Sequence, residues 1–133
     1  MHRMDALTTL LDEHQALRPF LDRLRAAAET GSEAEIALAA AAAERALCQD
    51  LDGHINLEDH EFFPEIAALL HSSIVEPFVE DHRAIEQARD ALYLQRAQGD
   101  DLRRQCTTLC TLLESHLLRE EEMLFPMYRS ASA

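Results

Sequence analysis

The chain has no tryptophan and no lysine, only three glycines, four prolines and three cysteines, and few aromatic residues. Each scarcity excludes something. Few turn-formers and few β-formers argue against a sandwich or barrel and favour an all-helical domain. Cys48, Cys106 and Cys110 are an odd set, without the even framework of a disulfide-stapled secreted scaffold. The longest charge-free apolar run, residues 36–43, is far short of the ~20 residues a membrane span needs. Met1 to Asp12 carry no long apolar stretch of a leader peptide, so a cytoplasmic home is expected. All 12 bases are arginine and stand against 25 acids, for a net charge of −13. Such a surface repels phosphate backbones and anionic lipid, which argues against nucleic-acid and membrane partners. A length of 133 residues allows one domain, taken as 1–133, and no oligomeric state is read from it.

What is present is alanine and leucine, punctuated by a few breakers that divide the chain into four helical segments. The first spans about Asp5 to Thr30, with Pro19 expected to kink it, and stops at Gly31. Ser32 and Glu35 form a capping box for the second, which runs to about Phe63, where Pro64 should bend or end it. Glu65 to Leu70 can add a turn or two, and His71-Ser72-Ser73 reads as a connection. The third runs from Ile74 or Pro77 to Gln98 and stops at Gly99. Asp100 can cap the fourth, which reaches about Phe125 before Pro126. Links this short force sequential helices antiparallel, so the expected architecture is an up-down-up-down four-helix bundle. The stretch Ala39 to Ala43 reads as close helix packing.

Four of the seven histidines share one arrangement. Steps of three, four and seven residues stay on one helix face. On those steps His14 meets Leu7, Leu10, Leu11, Leu17 and Leu21, and His54 meets Leu47, Leu51 and Leu57. His82 meets Val75, Phe78, Val79 and Ile85, and His116 meets Leu109, Leu112, Leu113 and Met123. Each segment thus carries one imidazole within its apolar stripe. At ~1.5 Å rise per residue, all four lie roughly 10–15 Å from the same end of an antiparallel bundle. A single histidine on an apolar face is more often a hydrogen-bonded core residue than a ligand. Four at one level need four separate partners, and these stripes offer few; a metal satisfies them together.

Glu58 is four residues after His54, and Glu120 is four after His116, so each acid shares a face with its histidine. One His-x3-Glu arises easily by chance in so acidic a chain. Here the same pattern occurs twice, as His54-x3-Glu58-x4-Phe63-Pro64 and His116-x3-Glu120-x4-Phe125-Pro126. Cys48 and Cys110 each stand six residues before the respective histidine, and Glu80-Asp81-His82 echoes Asp12-Glu13-His14. The chain reads as a tandem helical hairpin with a pseudo-two-fold site. That symmetry points to two metals, each with two or more histidines, bridged by the two glutamates.

In the order His14, His54-x3-Glu58, His82, His116-x3-Glu120, with Phe-Pro after each His-x3-Glu, the chain resembles the hemerythrin-like (HHE cation-binding) domains over about residues 5 to 128. The resemblance implies a four-helix bundle around a non-haem di-iron centre with an oxo or hydroxo bridge. It makes His14, His54, His82 and His116 terminal ligands and Glu58 and Glu120 bridging carboxylates. Dioxygen or a related diatomic or peroxide ligand would be the partner. Oxygen-carrying hemerythrins have a fifth histidine where this chain has Glu86, and place their last carboxylate where it has Glu121. Glu86 either replaces the missing ligand or is a solvated or core-edge acid. The departure argues against simple oxygen transport. It leaves sensing of oxygen or nitric oxide, peroxide or nitric oxide consumption by an enzyme, and iron binding open.

Imidazole and carboxylate suit iron and also zinc or manganese, so ligand type leaves the metal open, and a metal buffer or structural bundle is the non-redox rival. Ferritin-like di-iron bundles use four Glu and two His; this chain offers the inverse ratio. A dry pocket of Leu51, Leu113, Val79 and Met123 is expected around the site. His60 falls on the far face and reads as solvated, His2 is terminal and His71 lies near a loop. Glu61, seven residues after His54, should face inward, behind the ligands or at the pocket mouth. Cys106 and Cys110 read as packing residues, and Tyr93 and Tyr128 as core residues or hydrogen-bond donors near the site. Asp12-Glu13 and Glu120-Glu121-Glu122 read as solvated faces, with Glu120 the exception.

Overall fold

A computed structural model describes residues 3–133, with side chains from Ala6 onward; His2 lies outside the described residues. The described backbone forms four rods and no strand: α1 (Arg3–Thr30), α2 (residues 33–69), α3 (Ser72–Tyr93) and α4 (residues 99–132). Helix α1 packs on α2 and α4, and α3 packs on α4 and the second half of α2. This is the expected antiparallel four-helix bundle.

The first turn is tight for a steric reason. A Cβ on Gly31 would lie 2.7 Å from the Ala27 carbonyl oxygen, so only glycine fits there. Ser32 and Glu35 then exchange side-chain bonds with each other's backbone N–H, at 3.2 and 2.9 Å. Arg103 from α4 donates to the carbonyls of Ala28 and Gly31, which the end of α1 leaves without helical partners. Close packing of the alanine stretch is visible in Ala39, Ala40 and Ala43, all buried.

Several boundaries differ from the sequence expectation. Helix α1 opens at Arg3 rather than Asp5, and contains Pro19 as expected. The third helix opens earlier, at Ser72, because the His71 ring accepts from the Ser73 N–H at 3.1 Å. It ends at Tyr93 rather than Gln98, and Arg96 turns the chain with φ 53°. Gly99 does not stop α3 but starts α4, with φ 59° and its N–H held by Glu33 at 3.0 Å. Gln98, not Asp100, is the capping position.

Pro64 and Pro126 end nothing: α2 continues to Leu69 and α4 to Ser132. Each proline follows a wide turn, Glu58–Phe62 or Glu120–Leu124, in which the N–H of Phe63 or Phe125 reaches back five residues to Glu58 or Glu120. A third wide turn spans Ala46–Asp50. The widened ladder already breaks the four-residue repeat where proline would otherwise disrupt it. It also inserts one residue into the helical register. The position seven after the histidine therefore swings outward and the eighth takes its place. Glu61 is exposed and Phe62 buried; Met123 is exposed and Leu124 buried. The expectations that Glu61 faces inward and that Met123 lines the core are both corrected by this single effect.

The core falls into two clusters. One is aliphatic and includes Leu24, Leu47, Leu92, Leu109 and both Cys106 and Cys110. The other holds Phe62, Phe63, Phe78, Phe125 and Tyr128 with Leu7, Leu10 and Leu124. Along each helix the histidine stands near where one cluster gives way to the other. Burial lifts the Cys106 and Cys110 thiols to about 11 and about 12, so both pack as neutral thiols. Leu24→Ala should cost about 2–5 kcal/mol in chemical denaturation, because it empties a fully buried position. Metal content after purification should be unchanged, since Leu24 lies ten residues, nearly three turns, beyond His14 along α1.

Candidate metal centre

Apart from Arg89, six residues are the buried polar ones among the described residues: His14, His54, Glu58, His82, His116 and Glu120. None is more than 1% exposed. They are the six that the sequence singles out, and the bundle brings them together. His14, His54, Glu58 and Glu120 offer ligand atoms within 4.8 Å of one another, and Glu58, His82 and His116 form a second such group. The two groups share Glu58.

All four rings have the same orientation. Each Nε2 faces a carboxylate in the centre. His14 stands 3.1 Å from Glu120, His82 2.9 Å from Glu58, and His54 3.4 Å from Glu58. His116 reaches both acids, at 3.6 Å to Glu58 and 3.4 Å to Glu120. Donors bound to one metal at ~2.1 Å sit roughly 3.0–3.4 Å apart, so these spacings are those of a ligand cage. The inward atoms are also unmatched. His54 Nε2, His116 Nε2, Glu58 Oε2 and Glu120 Oε2 are buried with no hydrogen-bond partner. A buried orphan costs about 1–3 kcal/mol, and more when charged. A cation supplies what all four lack, so the residues present fit one.

Each Nδ1 faces outward, toward an acid from a neighbouring helix. Glu121 holds His14 at 2.7 Å, Glu13 holds His54 at 2.9 Å, Asp59 holds His82 at 2.7 Å and Asp81 holds His116 at 3.0 Å. An acid on Nδ1 keeps the proton there and turns the Nε2 lone pair inward. Three of these acids are themselves held: Glu121 by Arg18, Asp59 by Arg83 and Asp81 by Arg119. Glu13 and Glu121 thus do more than face solvent, which corrects their expected role. Asp59 and Asp81 were not singled out as functional. The signal was available: Glu13 and Asp81 each precede a histidine, and Asp59 and Glu121 each follow a bridge candidate.

The remaining candidates lie elsewhere. Glu86 pairs with Arg83 at 2.9 Å and is in neither ligand group. His60 is exposed, as expected, and so is Glu61. Tyr93 donates to the Ala40 carbonyl at 2.7 Å, and Tyr128 donates to Glu65 at 3.1 Å. Phe63 stacks on the His82 ring at 5.3 Å, Phe78 meets the His116 ring edge-on at 5.8 Å, and Phe125 lies 5.5 Å from the His14 ring.

A four-helix bundle carrying buried His and Glu donors defines a class, the helical metal-binding bundles. A family model described as the Hemerythrin HHE cation binding domain matches residues 5–128, and the chain belongs to that family. No match was found among curated proteins or among solved structures. No helix among the described residues is long and apolar enough to cross a membrane.

Without a cation the centre balances its charge with protons. Burial disfavours a charged His54, but Glu58, Glu120 and Glu13 outweigh it and raise its pKa well above 6.5. His116 is raised likewise, burial being overcome by Glu120, Asp81 and Glu58. Burial acts to raise Glu120, yet hydrogen bonding and the His116 charge hold it well below 4.5. In the metal-free chain the His54 and His116 contribution is complete below pH 6.5 and is lost as pH rises through their raised values. Glu120 contributes above pH 4.5 and loses its share as pH falls through its lowered value. A metal requires those imidazoles deprotonated, so its affinity should fall as pH falls, and uptake should release protons. Thermal melts between about pH 6 and 9 should therefore show metal-free stability declining with pH while the stabilisation on adding metal grows. Asp81→Ala should weaken metal binding roughly 10–100-fold in a chelator competition, with helicity retained.

Proposed function

We propose that the chain is a non-haem di-iron protein that binds dioxygen or a related small oxidant. In this reading His14 and His54 are terminal ligands to one iron and His82 and His116 to the other, and Glu58 and Glu120 bridge the pair. The observation that carries the reading is the set of four unmatched buried atoms facing one another inside a cage of inward Nε2 nitrogens. A core histidine held only for structure would have its second nitrogen matched as well.

Iron at an open position supplies one-electron chemistry toward dioxygen, nitric oxide or peroxide. The chain's own residues do the rest. Glu121, Glu13, Asp59 and Asp81 hold each Nδ1 proton and fix each ring. Phe62, Phe63, Phe78 and Phe125 close one side of the site and exclude water. Four neutral imidazoles with two carboxylates stabilise high oxidation states less than a carboxylate-rich set does, which favours binding over aggressive oxygen activation. Three unpaired cysteines suit the reducing cytoplasm that belongs to this reading.

Metal quantification and an anaerobic-to-aerobic difference spectrum test it together. The expected result is two irons per chain and a reversible spectral change. One zinc or none would overturn the di-iron assignment in favour of a metal buffer or a structural bundle. Steady peroxide turnover would shift the function to an enzyme on the same centre. His54→Ala should lose half or more of the metal, whereas His60→Ala, on the exposed face, should lose none; equal content in the two variants contradicts the ligand set.

A further inference from the structure

The four corners of the site are not alike. Three are closed by a guanidinium: Arg18 on Glu121 at 2.8 and 2.9 Å, Arg83 on Asp59 at 2.7 Å, and Arg119 on Asp81 at 2.5 Å. At the fourth, Glu13 holds His54 and pairs with no arginine among the described residues. Its side chain is also the most exposed of the four acids, at 36%. Beside Glu13 lies a groove of about 340 Å³ between α1 and α2, lined by Ala16, Leu17, Phe20, Asp50 and Gly53 among others.

Gly53 is the residue before His54, inside α2. Neither a left-handed backbone nor a close approach requires glycine there, since a Cβ would meet nothing within 4 Å. Glycine weakens a helix relative to alanine, so its presence calls for a reason. The reason consistent with the geometry is that it keeps the wall of the groove low next to His54. Its counterpart in the second half of the repeat is Ser115, beside His116, at the corner that Arg119 closes.

Charge decides what this opening admits. A cation approaching any of the other three corners meets a fixed positive guanidinium, and like charges at short range repel. At the α1–α2 corner it meets Glu13 and Asp50. We propose that this groove is the route by which a divalent cation reaches the buried centre, passing Glu13 beside His54. The proposal rests on the ligand assignment above and adds the direction from which the site is filled.

The test measures uptake kinetics rather than activity. Metal-free chain is mixed with zinc ions, quenched with excess chelator at successive times and desalted, and the retained zinc is counted. Gly53→Phe, which fills the groove, should slow uptake about tenfold or more while leaving the final zinc content unchanged. Gly53→Arg, which gives this corner the charge the others carry, should slow it too. Ser115→Phe should load at the rate of the unaltered chain. Equal rates for Gly53→Phe and Ser115→Phe overturn the route and leave the ligand assignment standing. An unaltered chain that retains no zinc overturns the ligand assignment, and the route with it. Should circular dichroism show Gly53→Phe unfolded, Ala16→Phe on the opposite wall carries the same expectations.

Discussion

Two carboxylates and four imidazoles without solvent contact are the constraint around which this bundle is organised. An isolated buried carboxylate is too costly to persist as an ion. Around Glu58 and Glu120 the imidazole nitrogens meet one carboxylate oxygen of each, and the other oxygen of each has no hydrogen-bond partner. With the cation absent, the neighbouring acids raise the His54 and His116 pKa values well above 6.5, so protons on these rings bring positive charge to the centre. A metal replaces those protons with charge delivered directly to the atoms that have no hydrogen bond. The same six residues therefore couple all four helices, since no helix can shift without uncovering a buried polar group. In such a bundle, metal binding and bundle stability are linked quantities.

The wide turns follow from that constraint. A regular α-helix places residues i and i+4 on one face, and that is enough to bring Glu58 under His54 and Glu120 under His116. It does not also direct i+5 toward a neighbouring helix. Opening the turn at the glutamate redistributes the next residues. Asp59 and Glu121 reach the histidines of the adjacent helices, and Phe62 and Leu124 move into the core. A helix loses regular hydrogen bonding at such a turn. The loss falls where the aromatic cluster, with most of the chain's phenylalanines and Tyr128, supplies the largest buried surfaces. The far end of the bundle, packed from leucine and alanine, has one such wide turn, at Ala46–Asp50.

Much of this was legible because the chemistry repeats. His14, His54, His82 and His116 announce themselves as polar residues inside apolar stripes, and Glu58 and Glu120 by a pattern that occurs twice. What the sequence hides is hidden by two particular causes. Periodicity arguments assume a constant register, so they misplace Glu61 and Met123 just past each widened turn. Acid-rich helix faces also look alike. Nothing in the run Glu120-Glu121-Glu122 says that the first acid enters the cage, the second holds a ring and the third does neither; the packing of α4 against α1 sorts them. Helix ends are also hidden where a side chain from elsewhere intervenes, as Glu33 does at Gly99.

The pseudo-two-fold repeat also explains why its departures are informative. Helices α1 and α3 correspond, as do α2 and α4, and each histidine is held by an acid from the preceding helix in the cycle. Symmetry of this kind fixes a metal-sized cage with few distinct solutions, but a fully symmetric cage offers no preferred side. The departures supply one. Glu86, where oxygen carriers have a further histidine, turns away to Arg83, and Arg83 in turn clamps Asp59. The His54 corner does the opposite, with leucine at position 57 where the repeat has Arg119, so its acid is left unclamped beside an open groove. What distinguishes the two corners in the structure is whether an arginine stands behind the acid that holds the ring.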